Sequence, residues 1–330
     1  MRQVIYFSLL FLLIGFVSCN EESKAVPKPA TKTPVKVPAF NGDSAYTYIE
    51  KQLSFGPRVP GTDEHAACRQ WMVEKFRSFG AEVIEQEFTA VIHTGDKWPS
   101  ANIIAQFNPD LKDRVILSAH WDTRYIAEED KNKKRKEDPI PGADDGGSGV
   151  GVLIEIARII SENPINLGVD IILWDAEDQG KRGSNQPPQL WCLGSQHWAK
   201  NTHRNNYRAK YGINLDMVGA KNPRFGKDDF SKQYAGKILD RIWSNARRMG
   251  YTDMFVNEDT GPLVDDHYFI NTLTNIPMID IINQPRNSRT GFVNHWHTHD
   301  DDINAIDKRT LRVVGQVVLK TIYGESENVQ

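Results

Sequence analysis

The chain has 330 residues, of which 39% are hydrophobic, 10% aromatic and 25% charged. That is ordinary globular composition, with room for one large α/β domain or two smaller ones. Its 40 Lys and Arg residues stand against 43 Asp and Glu residues, a formal net charge of −3 with neutral histidines. Such near balance provides no basic surface, so a nucleic-acid partner is not expected.

The first segment is a targeting signal. Arg2 supplies a positive end, and the apolar run from Val4 to Val17 is short for a membrane span but right for a signal-peptide core. It closes on Phe16-Val17-Ser18-Cys19, which resembles a bacterial lipobox. Residues 1–18 then form the signal peptide and Cys19 is the lipid-bearing first residue of the mature protein; ordinary cleavage after a small residue is the alternative. The expectation is an exported bacterial lipoprotein, held on a membrane by its N-terminal anchor and facing the periplasm. Behind Cys19, the Pro/Lys/Thr-rich stretch to residue 39 is a tether that cannot bury a core. Cys68 and Cys192 remain, and spacing does not decide whether they pair.

From Phe40 onward helix and strand signals alternate, and residues 40–330 read as a single catalytic domain. Asp43 or Ser44 is placed to cap a helix carrying Tyr46, Ile49 and Leu53. Thr62-Asp63-Glu64 opens a second with Cys68, Trp71, Met72, Phe76 and Phe79 at helical spacing, ended by Gly80. The apolar runs Val83 to Phe88, Asn102 to Phe107, Val115 to Ala119 and Val169 to Trp174 read as strands, the last two buried on both faces. Gly146-Gly147-Ser148-Gly149 opens a helix over Val150 to Ile160. Ile213 to Met217 and Pro277 to Ile282 read as further strands, and Ile238 to Met249 and Leu311 to Tyr323 as helices. This alternation predicts an α/β fold with a mainly parallel central sheet covered by helices on both faces.

The chemistry collects at the ends of these elements. His295-Trp296-His297-Thr298-His299-Asp300-Asp301-Asp302 packs histidines and carboxylates into one short run, and such side chains are ligands that zinc accepts. His120 and Asp122 follow one strand, Glu177 and Asp178 another, Asp216 ends a third, and Asp145 precedes a helix. Open α/β sheets place ligands at the carboxyl ends of their strands, so these segments converge by topology. His295 and His299 are expected to be solvated or to support their neighbours, because alternate residues cannot all point at one ion.

The ordered set His120-x-Asp122, Gly142-Ala-Asp-Asp145 with Ser148-Gly149, Glu177-Asp178, Asp216 and His297 resembles the zinc-dependent aminopeptidases of the bacterial leucyl aminopeptidase type. That resemblance implies two zincs on His120, Asp145, Asp178, Asp216 and His297, with Asp145 bridging and Glu177 as general base. A second branch of the fold is matched more fully. Asp216-Met217-Val218-Gly219-Ala220-Lys221-Asn222-Pro223-Arg224-Phe225, Asp265-Asp266-His267 and Trp296-His297-Thr298 with Asp300-Asp301 resemble segments of the glutaminyl-peptide cyclotransferases.

This second resemblance implies one zinc per chain on Asp145, Asp178 and His297, and peptide or protein substrates with N-terminal glutamine, cyclised to pyroglutamate with release of ammonia. It implies Glu177 as the proton-transferring carboxylate, Asp216 and Asp265 as acids sharing a proton, and Trp296, His120 and Trp191 in the substrate pocket. His120 is unmetallated in a single-zinc cyclase and a ligand in a two-zinc aminopeptidase. The animal cyclases carry Glu-Glu where this chain has Glu177-Asp178, and Asp remains a legitimate zinc ligand. A catalytically inactive binding domain on the same fold is a third reading, opposed by the intact Glu177 and full ligand set.

Overall fold

In this computed structural model, residue 1 and residues 36–183 and 185–327 are described. The signal peptide, Cys19 and most of the tether lie outside them. In chain order the elements are α1 (Gly42–Leu53), α2 (Asp63–Ser78), β1 (Glu82–Val91), β2 (Lys97–Phe107), β3 (Arg114–His120), α3 (Gly147–Glu162), β4 (Gly168–Trp174) and α4 (Leu193–Lys200). They continue with β5 (Gly212–Asp216), β6 (Phe225–Asp228), α5 (Asp229–Arg248), β7 (Phe255–Gly261), α6 (Asp266–Leu273), β8 (Met278–Ile282) and α7 (Lys308–Ser326).

The sheet has six strands in the order β1-β2-β4-β3-β5-β8, and β6 pairs with β7 in a separate ribbon. β4, β3, β5 and β8 run parallel to one another, while β2 is antiparallel to both β1 and β4. β3 and β4 are buried along their whole length, as uninterrupted β-branched and aliphatic runs require.

Strand alternation sends neighbouring residues to opposite faces. Ile103, Leu117, Ile171 and Leu173 join the large core under α1, α2, α3, α5 and α7. Ile104, Ile116, Ile172 and Trp174 join a smaller core with Trp198 of α4 and Ile270 of α6. Helices therefore cover both faces, as the element pattern predicts. At the ends of β3 and β4 away from the site, Arg114 clamps Asp170 with two hydrogen bonds of 2.6 and 2.8 Å.

α3 lies unusually close to the sheet. A Cβ on Gly149 would stand 2.4 Å from the Leu215 carbonyl and 2.7 Å from the Ala119 methyl, so no side chain fits there.

Three helix starts differ from the sequence expectation, and α7 begins at Lys308, three residues before the predicted Leu311. α1 is capped by Asn41, whose side chain accepts from the Asp43 and Ser44 amides; those two residues are therefore capped rather than capping. α5 begins nine residues before the predicted Ile238, because Ala235 breaks the helical backbone (φ −134°, ψ 27°) and interrupts the periodicity. The short α4, α6, β6 and β7 carried too few periodic residues to be read from sequence. Cys68 and Cys192 are both buried and free. Among the described residues no helix is long and apolar enough to cross a membrane.

Candidate active site

The carboxyl ends of β3, β4 and β5, the entrance to α3, the start of α6 and the loop between β8 and α7 meet around one cavity. Its volume is about 290 Å³, and Asp145, Glu177, Asp178, Asp216, Asp265, Trp191 and Trp296 are among its lining residues. Asp145, Asp178, Asp216, Asp265 and His297 are each no more than 8% exposed. Most of the predicted residues thus come together, from segments up to 177 positions apart in sequence (His120 to His297).

Asp145, Asp178 and His297 form one group whose donor atoms lie within 4.8 Å of each other. His297 Nε2 is 2.9 Å from Asp178 Oδ1 and 3.8 Å from Asp145 Oδ2. Asp145 Oδ2 and Asp178 Oδ2 are buried and have no hydrogen-bond partner. Buried acceptors left open in this way are uncommon, and two carboxylates with an imidazole are a donor set that suits zinc. The residues therefore fit a cation.

His120, Asp145 and Asp216 form a second such group, but it closes on itself. His120 Nε2 lies 3.0 Å from Asp145 Oδ1 and 3.2 Å from Asp216 Oδ1, so one imidazolium can bridge both acids. Burial disfavours charge on His120, but hydrogen bonds to Asp122, Asp145 and Asp216 outweigh it and hold the imidazole well above its ordinary pKa. His120, read as an unmetallated pocket residue or a second-zinc ligand, is 1% exposed and stands at the end of β3 between Asp145 and Asp216.

Glu177 stands just before a member of the open group, with its carboxylate turned elsewhere. Its Oε1 is 3.3 Å from the Cys192 thiol, and Glu177, Cys192 and Asp265 have ligand atoms within 4.8 Å of one another. Burial, then the charges of Asp178, Asp265 and Asp266, opposed by His120, push the Glu177 carboxyl well above its ordinary pKa. Burial chiefly, with the Asp265 and Asp145 charges opposing His120, raises Asp216 to about 8. Both are poised to hold or exchange a proton.

The walls are aromatic. The His297 ring stacks on Trp296 at 3.7 Å between centroids and faces Trp191 on a near-parallel plane at 6.3 Å. Phe292 packs on Trp296 at 4.7 Å. Trp191 therefore lies in the pocket wall together with Trp296.

A supporting layer fixes these groups. The Asp122 carboxylate accepts from the Glu177 and Asp178 amides and from Gln179 Nε2, at 3.0, 3.2 and 2.8 Å. Asp301 accepts from the Asp144 and Asp145 amides at 2.8 and 3.1 Å. His295 bonds Asp144 at 2.8 Å and His299 bonds Asp130 at 2.7 Å, so both histidines support the site instead of facing the cavity. His267 reaches Asp228 at 3.1 Å and Asp280 at 3.7 Å; the amide of Asp266, not His267, bonds Asp265.

Sequence reasoning missed Glu128 and Arg124. Glu128 Oε1 is 3.0 Å from His297 Nδ1, and Arg124 grips Glu128 while donating to the Asp178 and Gly180 carbonyls at 2.7 Å each. Burial would raise Glu128, but the His297 hydrogen bond and charge, then Arg124, bring its carboxyl down to about 2. Glu128-Glu129-Asp130 reads in sequence as a solvated acidic run, and nothing local marks the first of the three.

With the geometry in place, the comparisons with known proteins are decisive. The model of peptidase family M28 matches residues 102–322. The chain belongs to that family. A structurally similar protein is a Zn-dependent exopeptidase of Parabacteroides distasonis ATCC 8503, 46% identical, with 87% of this chain and 99% of that one covered and a TM-score of 0.85. A glutaminyl cyclase of Bacteroides thetaiotaomicron, solved with N-acetylhistamine, is 44% identical with the same coverages and a TM-score of 0.85. The glutaminyl-peptide cyclotransferase of Drosophila melanogaster is 24% identical over 276 residues, 77% of this chain and 73% of that protein.

Glu128→Ala removes the carboxylate that orients His297 from behind. It is expected to weaken zinc affinity by about 10–100-fold, the usual cost of losing such a partner. Competition against a chromogenic chelator measures this; unchanged affinity would show that Glu128 does not support the ligand.

Proposed function

We propose that this M28 protein is a glutaminyl-peptide cyclotransferase, converting the N-terminal glutamine of peptides or proteins to pyroglutamate with release of ammonia. The observation that carries the reading is a cavity of about 290 Å³, walled by Trp191 and Trp296 and floored by Glu177, Asp216 and Asp265. Beside it lies one donor group left open and another closed by His120. The 44% identity to a glutaminyl cyclase across 87% of the chain supports the same conclusion.

Asp145, Asp178 and His297 would hold one zinc per chain. When bound, it supplies a Lewis acid that polarises the side-chain amide carbonyl of the substrate. The chain's own residues do the rest. Trp296 and Trp191 hold the glutamine stem so that its α-amine faces its own side-chain amide carbon.

As the new N–C bond closes the five-membered ring, Glu177 takes a proton from the amine and returns it to the departing nitrogen, which leaves as ammonia. Burial raises the Glu177 carboxyl well above its ordinary pKa, which makes the carboxylate a stronger proton acceptor. Asp216 and Asp265 share a proton near the developing charge, since close carboxylates rarely both stay ionised. A two-zinc peptide hydrolase would place a second metal on His120, Asp145 and Asp216, which also lie within reach of one ion; the resemblance of the Asp265 and Trp296 segments to the cyclotransferases favours the single-metal reading.

Glu177→Gln keeps size and polarity but cannot accept a proton. Turnover is expected to fall by roughly 10²–10⁴-fold, as for loss of a general base, with zinc content unchanged by metal analysis. Loss of the metal in this variant would make Glu177 a ligand; full activity would move the base role elsewhere.

Export and anchoring are a separate proposal resting on the lipobox-like run that ends at Cys19. Cys19→Ala is expected to move the protein from the detergent phase to the aqueous phase, or to leave it uncleaved. Wild-type protein in the aqueous phase with a free N-terminus would contradict it.

A further inference from the structure

The cavity lining combines charged and apolar groups. Its acids lie on the floor, each no more than half exposed, whereas Lys181 and Arg182 of the loop following β4 are exposed lining residues and so mark its mouth. The lining also includes the apolar Leu263, Val264 and Phe292, the last packed on Trp296.

The two cations are not equivalent. Arg182 is occupied: it pairs with Glu129 and its guanidinium lies 4.5 Å over the Trp296 ring. Glu129 also pairs with Arg289. Two guanidinium groups share that single carboxylate, which leaves a positive surplus at this rim. Lys181 carries no ion pair or hydrogen bond among the described residues. A solvated lysine is the ordinary state of a surface ammonium; this one differs because it lines the cavity, beside a rim whose own charges do not cancel.

If glutamine fills the cavity that Trp191 and Trp296 line, the next residue of the substrate emerges at this mouth. The structure assigns a charge preference to that position: we propose that Lys181, backed by the Arg182–Glu129–Arg289 cluster, selects peptides with an acidic residue directly after the N-terminal glutamine. This rests on the cyclase reading above. Lys181 is then a specificity-determining residue, acting on substrate choice and not on the proton transfers. The apolar lining residues make the competing case, for a hydrophobic residue at the same position.

The test compares kcat/KM of the full chain for four peptides: Gln-Glu-Ala, Gln-Lys-Ala, Gln-Leu-Ala and Gln-Ala-Ala. At low ionic strength the acidic peptide is expected to exceed the basic one by about three- to fivefold, the upper range for an exposed ion pair. The gap should shrink in about 0.5 M salt, where charges a few ångströms apart are already screened. Lys181→Ala should reduce the ratio, and Lys181→Glu should invert it. A merely structural role for Lys181 would change all four peptides together.

Equal rates for acidic and basic peptides, or an acidic preference that survives Lys181→Glu, would overturn the inference. So would Gln-Leu-Ala outpacing Gln-Glu-Ala in wild type. Turnover of Gln-Ala-Ala without any charge preference removes this inference alone, whereas no cyclisation of any peptide removes the cyclase reading and this inference together.

Discussion

Asp145, Glu177, Asp178, Asp216 and Asp265 gather at one end of a buried sheet, in groups whose oxygens lie within 4.8 Å of a neighbouring ligand atom. Like charges held this close, and largely out of water, oppose folding unless each is neutralised or bonded. The rest of the site can be understood as the response to that constraint. His120 bridges Asp145 and Asp216 from below, while His297 faces Asp145 and Asp178. What these two imidazoles leave open are the second oxygens of Asp145 and Asp178, where a cation would complete the balance. A cation held there would meet the structural demand for positive charge and, in the proposed reaction, the demand for a Lewis acid.

Positions are held from behind by groups that never reach substrate. Asp122 and Asp301 each accept from two consecutive backbone amides, fixing the peptide units that carry Glu177, Asp178 and Asp145. The backbone is also strained there. Ala176, Met217 and His297 have φ of 54°, 46° and 55°, a region that costs a non-glycine residue roughly 1–3 kcal/mol. Each lies at or next to a functional side chain, so the strain aims those groups at the cavity. Gly146, at φ 79°, shows the same closeness: a Cβ there would stand 2.9 Å from the His120 ring.

Much of this was legible in the sequence, for reasons particular to each element. β3 and β4 read as strands because burial on both faces leaves continuous apolar runs. The rule that ligands sit at strand ends then brought His120, Asp178 and Asp216 together without any distance being known. The family resemblance added Asp265 and the wall role of Trp296. What escaped reading depends on contacts between distant segments. Glu128 is ordinary until His297 and Arg124 meet it, 169 and 4 residues away in sequence. His120 could be assigned to a pocket wall or a ligand shell, and its place between Asp145 and Asp216 depends on contacts that sequence does not display. Trp191 follows a loop whose path sequence does not define, yet it faces His297 opposite Trp296.

The account stands on one chemical outcome: the substrate's own amine, and not water, attacks its side-chain amide. Mass analysis of a Gln-peptide incubated with the purified chain tests this most directly. The account predicts a product with the peptide chain intact, lighter by one ammonia and blocked at its N-terminus. Release of free glutamine with a peptide shortened by one residue would contradict it and make the protein an aminopeptidase.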